Sequence, residues 1–145
     1  MVTVDRSSLV GYSADRMYAL VEDIESYPDF LPWCSGAVVT VREATRTVST
    51  MHVNFFGIRE QFTTENANEP GRMITMQLVS GPFRHLRGHW RFTPLAGDAC
   101  KVEFRIEYEI SNRLLERVIG PVFHHIGNSF MDAFVQRAEQ IHAGP

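Results

Sequence analysis

Residues 112–142, NRLLERVIGPVFHHIGNSFMDAFVQRAEQIH, decide the fold. Leu115, Ile119, Phe123, Ile126, Phe130, Phe134 and Ile141 recur at steps of three and four or their multiples, which predicts one long helix with a single broad apolar face. Asn128, Asp132, Gln136 and Glu139 fall on the opposite side. The apolar face is too aromatic for an ordinary surface helix, so it needs a partner to cover. At about 1.5 Å per residue the helix reaches about 45 Å, enough to lie across a small sheet. Gly127 stands mid-face, where a side chain would otherwise fill the gap to that sheet. Pro121, following Gly120, predicts a kink or the start of the helix's main part, so that the inward-facing portion begins at Val122 or Phe123.

The upstream chain has the composition of the sheet. Val2–Val10 reads as a strand, Gly11-Tyr12-Ser13 breaks it, and Ser13 is placed to cap a short helix with Met17, Leu20, Val21 and Ile24 on one face. Pro28 and Pro32 then stop any long helix while Tyr27, Phe30, Leu31 and Trp33 demand burial, which predicts a tight turn or single helical turn over one end of the core. Six strands follow, at 37–43, 47–56, 59–66, 73–79, 85–93 and 100–110, separated by short turn signals that imply an antiparallel meander. Leu86, Gly88, Trp90 and Phe92 alternate with Arg87, His89 and Arg91, and Val102, Phe104, Ile106, Tyr108 and Ile110 alternate with Lys101, Glu103, Arg105, Glu107 and Glu109. One face is apolar and the other charged, so the expected architecture is α+β, a curved antiparallel sheet covered by the C-terminal helix.

A chain of 145 residues with 44% hydrophobic content fits one domain over 1–145. Its net charge of −3 argues against a protein whose main affinity is for nucleic-acid backbone. Cys34 and Cys100 have no metal-ligand spacing and read as reduced thiols in or near the core. The first ten residues lack the apolar run of a signal peptide, and no later segment has the length of a membrane span. The expected location is the cytoplasm, with any contact at the inner membrane peripheral.

Two segments carry a resemblance. Residues 18–34, YALVEDIESYPDFLPWC, and Gly81-Pro82-Phe83 with Leu86, Gly88, Trp90 and Phe92, resemble signatures of the RatA-like proteins and mitochondrial coenzyme Q-binding proteins of the START-like superfamily, which also includes polyketide cyclases. The resemblance implies a helix-grip fold with a hydrophobic cavity between sheet and C-terminal helix. From the mitochondrial side it implies ubiquinone binding in support of respiratory electron transfer. From the RatA side it implies a toxin that interferes with association of ribosomal subunits, with those subunits and a small antitoxin as partners. A cyclase-type enzyme is the third reading.

Phe55, Phe62, Met76, Phe83, Leu86, Trp90, Phe92, Tyr108, Phe123, Ile126, Phe130 and Phe134 are the candidate cavity lining, and Tyr18, Tyr108 and Arg137 the candidate polar anchors. Arg137 shares the side of Phe130 and Phe134, so it needs a carboxylate, a ligand anion or a route to solvent. His85 and His89 are about 13 Å apart on a strand, and His124 and His125 diverge on a helix, so no metal site is expected. The carboxylates lie on the outer face, where Glu103, Glu107 and Glu109 are expected to neutralise Arg87 and Arg91, and no catalytic set emerges. The expected activity is non-enzymatic binding of a hydrophobic molecule, ubiquinone or another isoprenoid lipid, with no cofactor required.

Overall fold

The computed structural model describes residues 1–142. Its elements run β1 (Val2–Val10), α1 (Ala14–Glu22), a 3-10 helix (Ile24–Asp29), β2 (Cys34–Arg42), β3 (Arg46–Phe55), β4 (Ile58–Glu69), β5 (Met73–Ser80), β6 (Phe83–Pro94), β7 (Cys100–Ile110) and α2 (Arg113–His142). One seven-stranded sheet has the order β1-β7-β6-β5-β4-β3-β2, antiparallel throughout. The meander reflects the short turns; β1 closes the far edge by pairing along β7. This is the helix-grip fold, with α2 in the concave face.

Local chemistry explains the helix starts. The Ser13 hydroxyl accepts from the Arg16 amide at 3.2 Å, and the Asn112 side-chain oxygen accepts from the Leu115 amide at 2.9 Å. Of the two expectations at Pro121, a kink or the start of the helix's main part, the second is not met, since α2 is one element through that residue. Gly120 offers no Cβ to clash with the proline ring, which removes part of the usual penalty against helix before proline. Ile119, Phe123, Ile126, Phe130 and Phe134 are buried as the periodicity requires, but Ile141 is 49% exposed, because packing ends at Ala138. Pro28 lies within the 3-10 helix, whose Tyr27, with Leu31 and Trp33 just beyond, is buried under α2.

Two glycines set how closely the layers approach. A Cβ on Gly127 would stand 3.0 Å from Val4 Cγ2, so the gap foreseen there is filled by β1. A Cβ on Gly88 would stand 2.5 Å from the Arg105 carbonyl oxygen, which marks the tight coiling of β6 on β7. Close by, the sheet loosens. The β5–β6 ladder ends at Gln77 and Arg87, although both strands continue, and the registers of β4–β5 and β6–β7 each slip once beside that gap.

On the convex face Arg87 pairs with Glu107 at 3.1 Å, as expected, and Arg84 takes Glu109 at 3.7 Å. Glu103 pairs with Lys101 at 3.5 Å and not with Arg91, its cross-strand neighbour. Cys34 and Cys100 are buried free thiols. Among the described residues no helix is long and apolar enough to cross a membrane.

Replacing Gly88 by Ala would drive a methyl into backbone, which cannot swing aside as a side chain can. Gly88→Ala is expected to destabilise the protein by about 1–3 kcal/mol in urea unfolding. An unchanged midpoint would show that β6 has slack at this point.

Candidate functional site

Between α2 and the sheet lies an apolar cavity. About 70 Å³ is open to the centres of water-sized solutes, within about 750 Å³ of space between lining atoms that includes the mouth. The smaller figure corresponds to on the order of five water positions. It is a narrow slot, smaller than an aromatic ring with its substituents would need.

Every layer contributes to the wall. Alternation along β4 turns Phe62, Thr64 and Asn66 inward; Ile74 and Met76 come from β5, and Phe104, Ile106 and Tyr108 from β7. Two aromatic clusters bound the slot. In one, Phe83 meets Phe123 at 4.8 Å, Phe62 at 5.8 Å and Tyr108 at 5.8 Å between ring centres. In the other, Phe130 stacks on Phe104 at 5.5 Å and contacts Trp33 at 5.6 Å and Trp90 at 6.0 Å. Phe123 and Phe130 are two helical turns apart, so the clusters are separated by about 10 Å along α2. Ile126 and the Gly127 backbone form the wall between them.

Of the residues expected to line the cavity, Phe62, Met76, Phe83, Leu86, Trp90, Tyr108, Phe123, Ile126 and Phe130 do so. Three do not. Phe134 is fully buried in packing against Tyr27, Phe30 and Trp90; Phe92 lies between Trp90 and Tyr18; Phe55 stacks on the His125 ring at 5.1 Å. Val21, Tyr27, Trp33, Met51, Thr64, Asn66, Ile74, Phe104 and Ile106 also line it. Tyr27 and Trp33 were legible as buried but not as walls. Thr64 and Asn66 have polar side chains, which strand alternation ordinarily assigns to the solvent face.

The anchors divide. Tyr108 reaches the cavity, and its hydroxyl makes no hydrogen bond among the described residues; burial, with Glu116 adding to it, pushes its phenol up. Tyr18 is outside, edge-on to Phe92 at 5.8 Å. Arg137 is also outside: its guanidinium lies 5.1 Å over the Phe30 ring, a cation–π contact in place of a carboxylate, and its buried Nε has no hydrogen-bond partner. Tyr27 and Tyr108 are the titratable side chains on the cavity wall. The Tyr27 hydroxyl already donates to the Val21 carbonyl, so its proton is committed to the fold. Among the described residues no three His, Cys, Asp or Glu side chains converge as metal ligands.

A helix-grip protein with an apolar cavity is what the fold and site define, and the chain belongs to the family described as polyketide cyclase / dehydrase and lipid transport, matched over residues 10–135. It is 44% identical over 142 residues to the ribosome association toxin RatA of Vibrio cholerae, covering 98% of this chain and 99% of that protein. The mitochondrial coenzyme Q-binding protein COQ10 homolog B of Xenopus laevis is 27% identical over 145 residues, covering 97% of this chain and 59% of that one. A START superfamily protein from Mycobacterium smegmatis shares the fold, with a TM-score of 0.76 and 20% identity over 96% of this chain and 98% of that one.

Burial pushes the Tyr27 phenol far above its ordinary value of 10.0, with Cys34 and Glu22 adding to the effect. The folded chain therefore holds a proton that the unfolded chain releases above about pH 10, so this contribution is complete below that pH and is lost as pH rises past it. Tyr27→Phe is expected to cost about 1 kcal/mol at neutral pH through the lost hydrogen bond. It should also flatten the alkaline fall in urea midpoint, leaving the smaller contributions of Tyr18 and Tyr108, whose phenols are likewise raised.

Proposed function

We propose that this chain binds a hydrophobic small molecule in the cavity, with ubiquinone or a similar isoprenoid lipid as the guest, and serves as its carrier or chaperone in respiration. The observation that carries this reading is the apolar slot between two aromatic clusters that join α2 to the sheet, lined by Phe62, Phe83 and Phe123 at one end and by Trp33, Trp90 and Phe130 at the other. The driving force is removal of apolar surface from water, at about 25 cal/mol per Å², and no bond is made or broken. Phe62, Met76 and Ile106 are wall residues that are only half-buried, and so the ones least confined by packing. Similarity to a coenzyme Q-binding protein along nearly the whole chain supports the choice of guest.

Trp33 and Trp90 both border the slot, so intrinsic fluorescence reports occupancy. A short-chain quinone is expected to quench it saturably, and organic extraction of protein purified from its host should release quinone. Phe62→Glu places a charge on the apolar wall and should weaken binding by at least about tenfold, while circular dichroism stays unchanged. Linear, non-saturating quenching together with an empty extract would remove this function.

A second reading is favoured by the 44% identity to a ribosome association toxin over nearly the full length of both chains. In it the protein acts on ribosomal subunits through its surface. Purified protein added to separated subunits should then lower the yield of joined particles in a sucrose gradient, and Phe62→Glu should leave that effect intact. An unaltered gradient at excess protein rules the reading out.

A further inference from the structure

The concave face of the β3–β4 pair is polar where the rest of that face is apolar. Thr47 and Ser49 on β3, and Thr64, Asn66 and Asn68 on β4, all point inward and are all buried. In register Thr47 faces Asn66 and Ser49 faces Thr64. One internal hydrogen bond forms, from Asn68 Nδ2 to Thr47 Oγ1 at 2.8 Å. Three oxygens remain fully buried without a partner: Ser49 Oγ, Asn66 Oδ1 and Asn68 Oδ1. Each carries a desolvation cost that valine or leucine would avoid. Of the three residues that carry these oxygens, Asn66 is the one on the cavity wall.

Asn66 is the member of this group that matters most. It is 7% exposed, it lines the cavity together with Thr64, and its carboxamide makes no hydrogen bond to the described protein. Apolar Met51, Ile74 and Trp90 share the wall with it. We infer that Asn66, with Thr64, forms a polar subsite for the head of the ligand, and that this subsite selects a hydroxyl-bearing ring, a hydroquinone or phenol, over the corresponding quinone. The inference rests on the cavity binding a ring-bearing lipid, as proposed above.

The selection follows from donor and acceptor counting. A primary amide presents a carbonyl acceptor and an N–H donor side by side, whichever way the amide is turned. A ligand hydroxyl donates to the first and accepts from the second. A quinone carbonyl only accepts, so it leaves Asn66 Oδ1 unpaired and seals it from water. A site that hydrogen-bonds a hydroxyl discriminates against the analogue lacking it because its own buried group is then stranded.

The test is anaerobic calorimetry of a short-chain ubiquinol and its oxidised quinone against the intact chain, Asn66→Leu and Thr64→Val. The wild type is expected to bind the quinol at least about tenfold more tightly than the quinone. Asn66→Leu should abolish the preference by weakening quinol binding, with quinone binding retained, and should raise the thermal midpoint of the empty protein because a stranded oxygen is gone. Thr64→Val, close in shape to threonine, should reduce the preference without altering the fold. Equal affinity for the two forms in the wild type would mean that water satisfies Asn66, and it overturns the inference while leaving the ligand reading in place. A preference that survives both substitutions also overturns it. If neither form binds the wild type, both readings fall together.

Discussion

Phe130 joins the two layers of this molecule. Its ring lies nearly parallel to Phe104 in the sheet and meets Tyr27, Trp33, Trp90 and Phe134, so one side chain ties α2 to the 3-10 helix, to the turn after it and to two adjacent strands. Two helical turns earlier, Phe123 makes the corresponding contact with Phe83. Between the two the helix presents Ile126 and bare backbone at Gly127 to the cavity, and Val4 of edge strand β1 closes on Gly127 from the side. The cavity is therefore not a packing failure at one residue. It is the span between two aromatic fixings, held open because large rings prop the layers at both ends.

The polar ladder on β3 and β4 sets a second condition. Buried amides and hydroxyls without partners lower the stability of the protein. Deficits of this kind persist where another property depends on them. On the convex side the charges are arranged conventionally, with Glu107 held below the usual carboxylate range by Arg105 and Arg87. The contrast sets unpaired polar atoms inside against Arg84, Arg87 and Arg105 outside, each paired with a carboxylate.

Much of this was legible in the sequence. The alternation in 86–92 and 102–110 identifies the apolar face, and the three-four spacing in α2 identifies the helix that covers it, because both are local consequences of backbone period. Strand limits shift by a few residues where a register slip intervenes: β2 begins at Cys34, ahead of the expected Ala37, with an irregularity between Cys34 and Gly36. What local pattern cannot carry is the contact between distant segments. Val4 filling the notch at Gly127, Phe30 beneath Arg137, and Phe134 turned into packing away from the slot all depend on how layers meet. Inward polar residues are the hardest case, since Ser49 and Asn66 follow the same period as residues facing water.

The unfinished ladder between β5 and β6 leaves one stretch of the cavity wall without backbone bonds between its two strands. Beyond Gln77 and Arg87 the two strands run on without bonding to each other, and Met76, Phe83 and Leu86, all on the cavity wall, flank the place where they separate. Opening a seam that is already unzipped breaks no inter-strand hydrogen bonds and leaves the props at Phe123 and Phe130 in place. The sheet is thus least tied, strand to strand, where Met76, Phe83 and Leu86 border the cavity, and the wall there depends on side-chain packing in place of a backbone ladder.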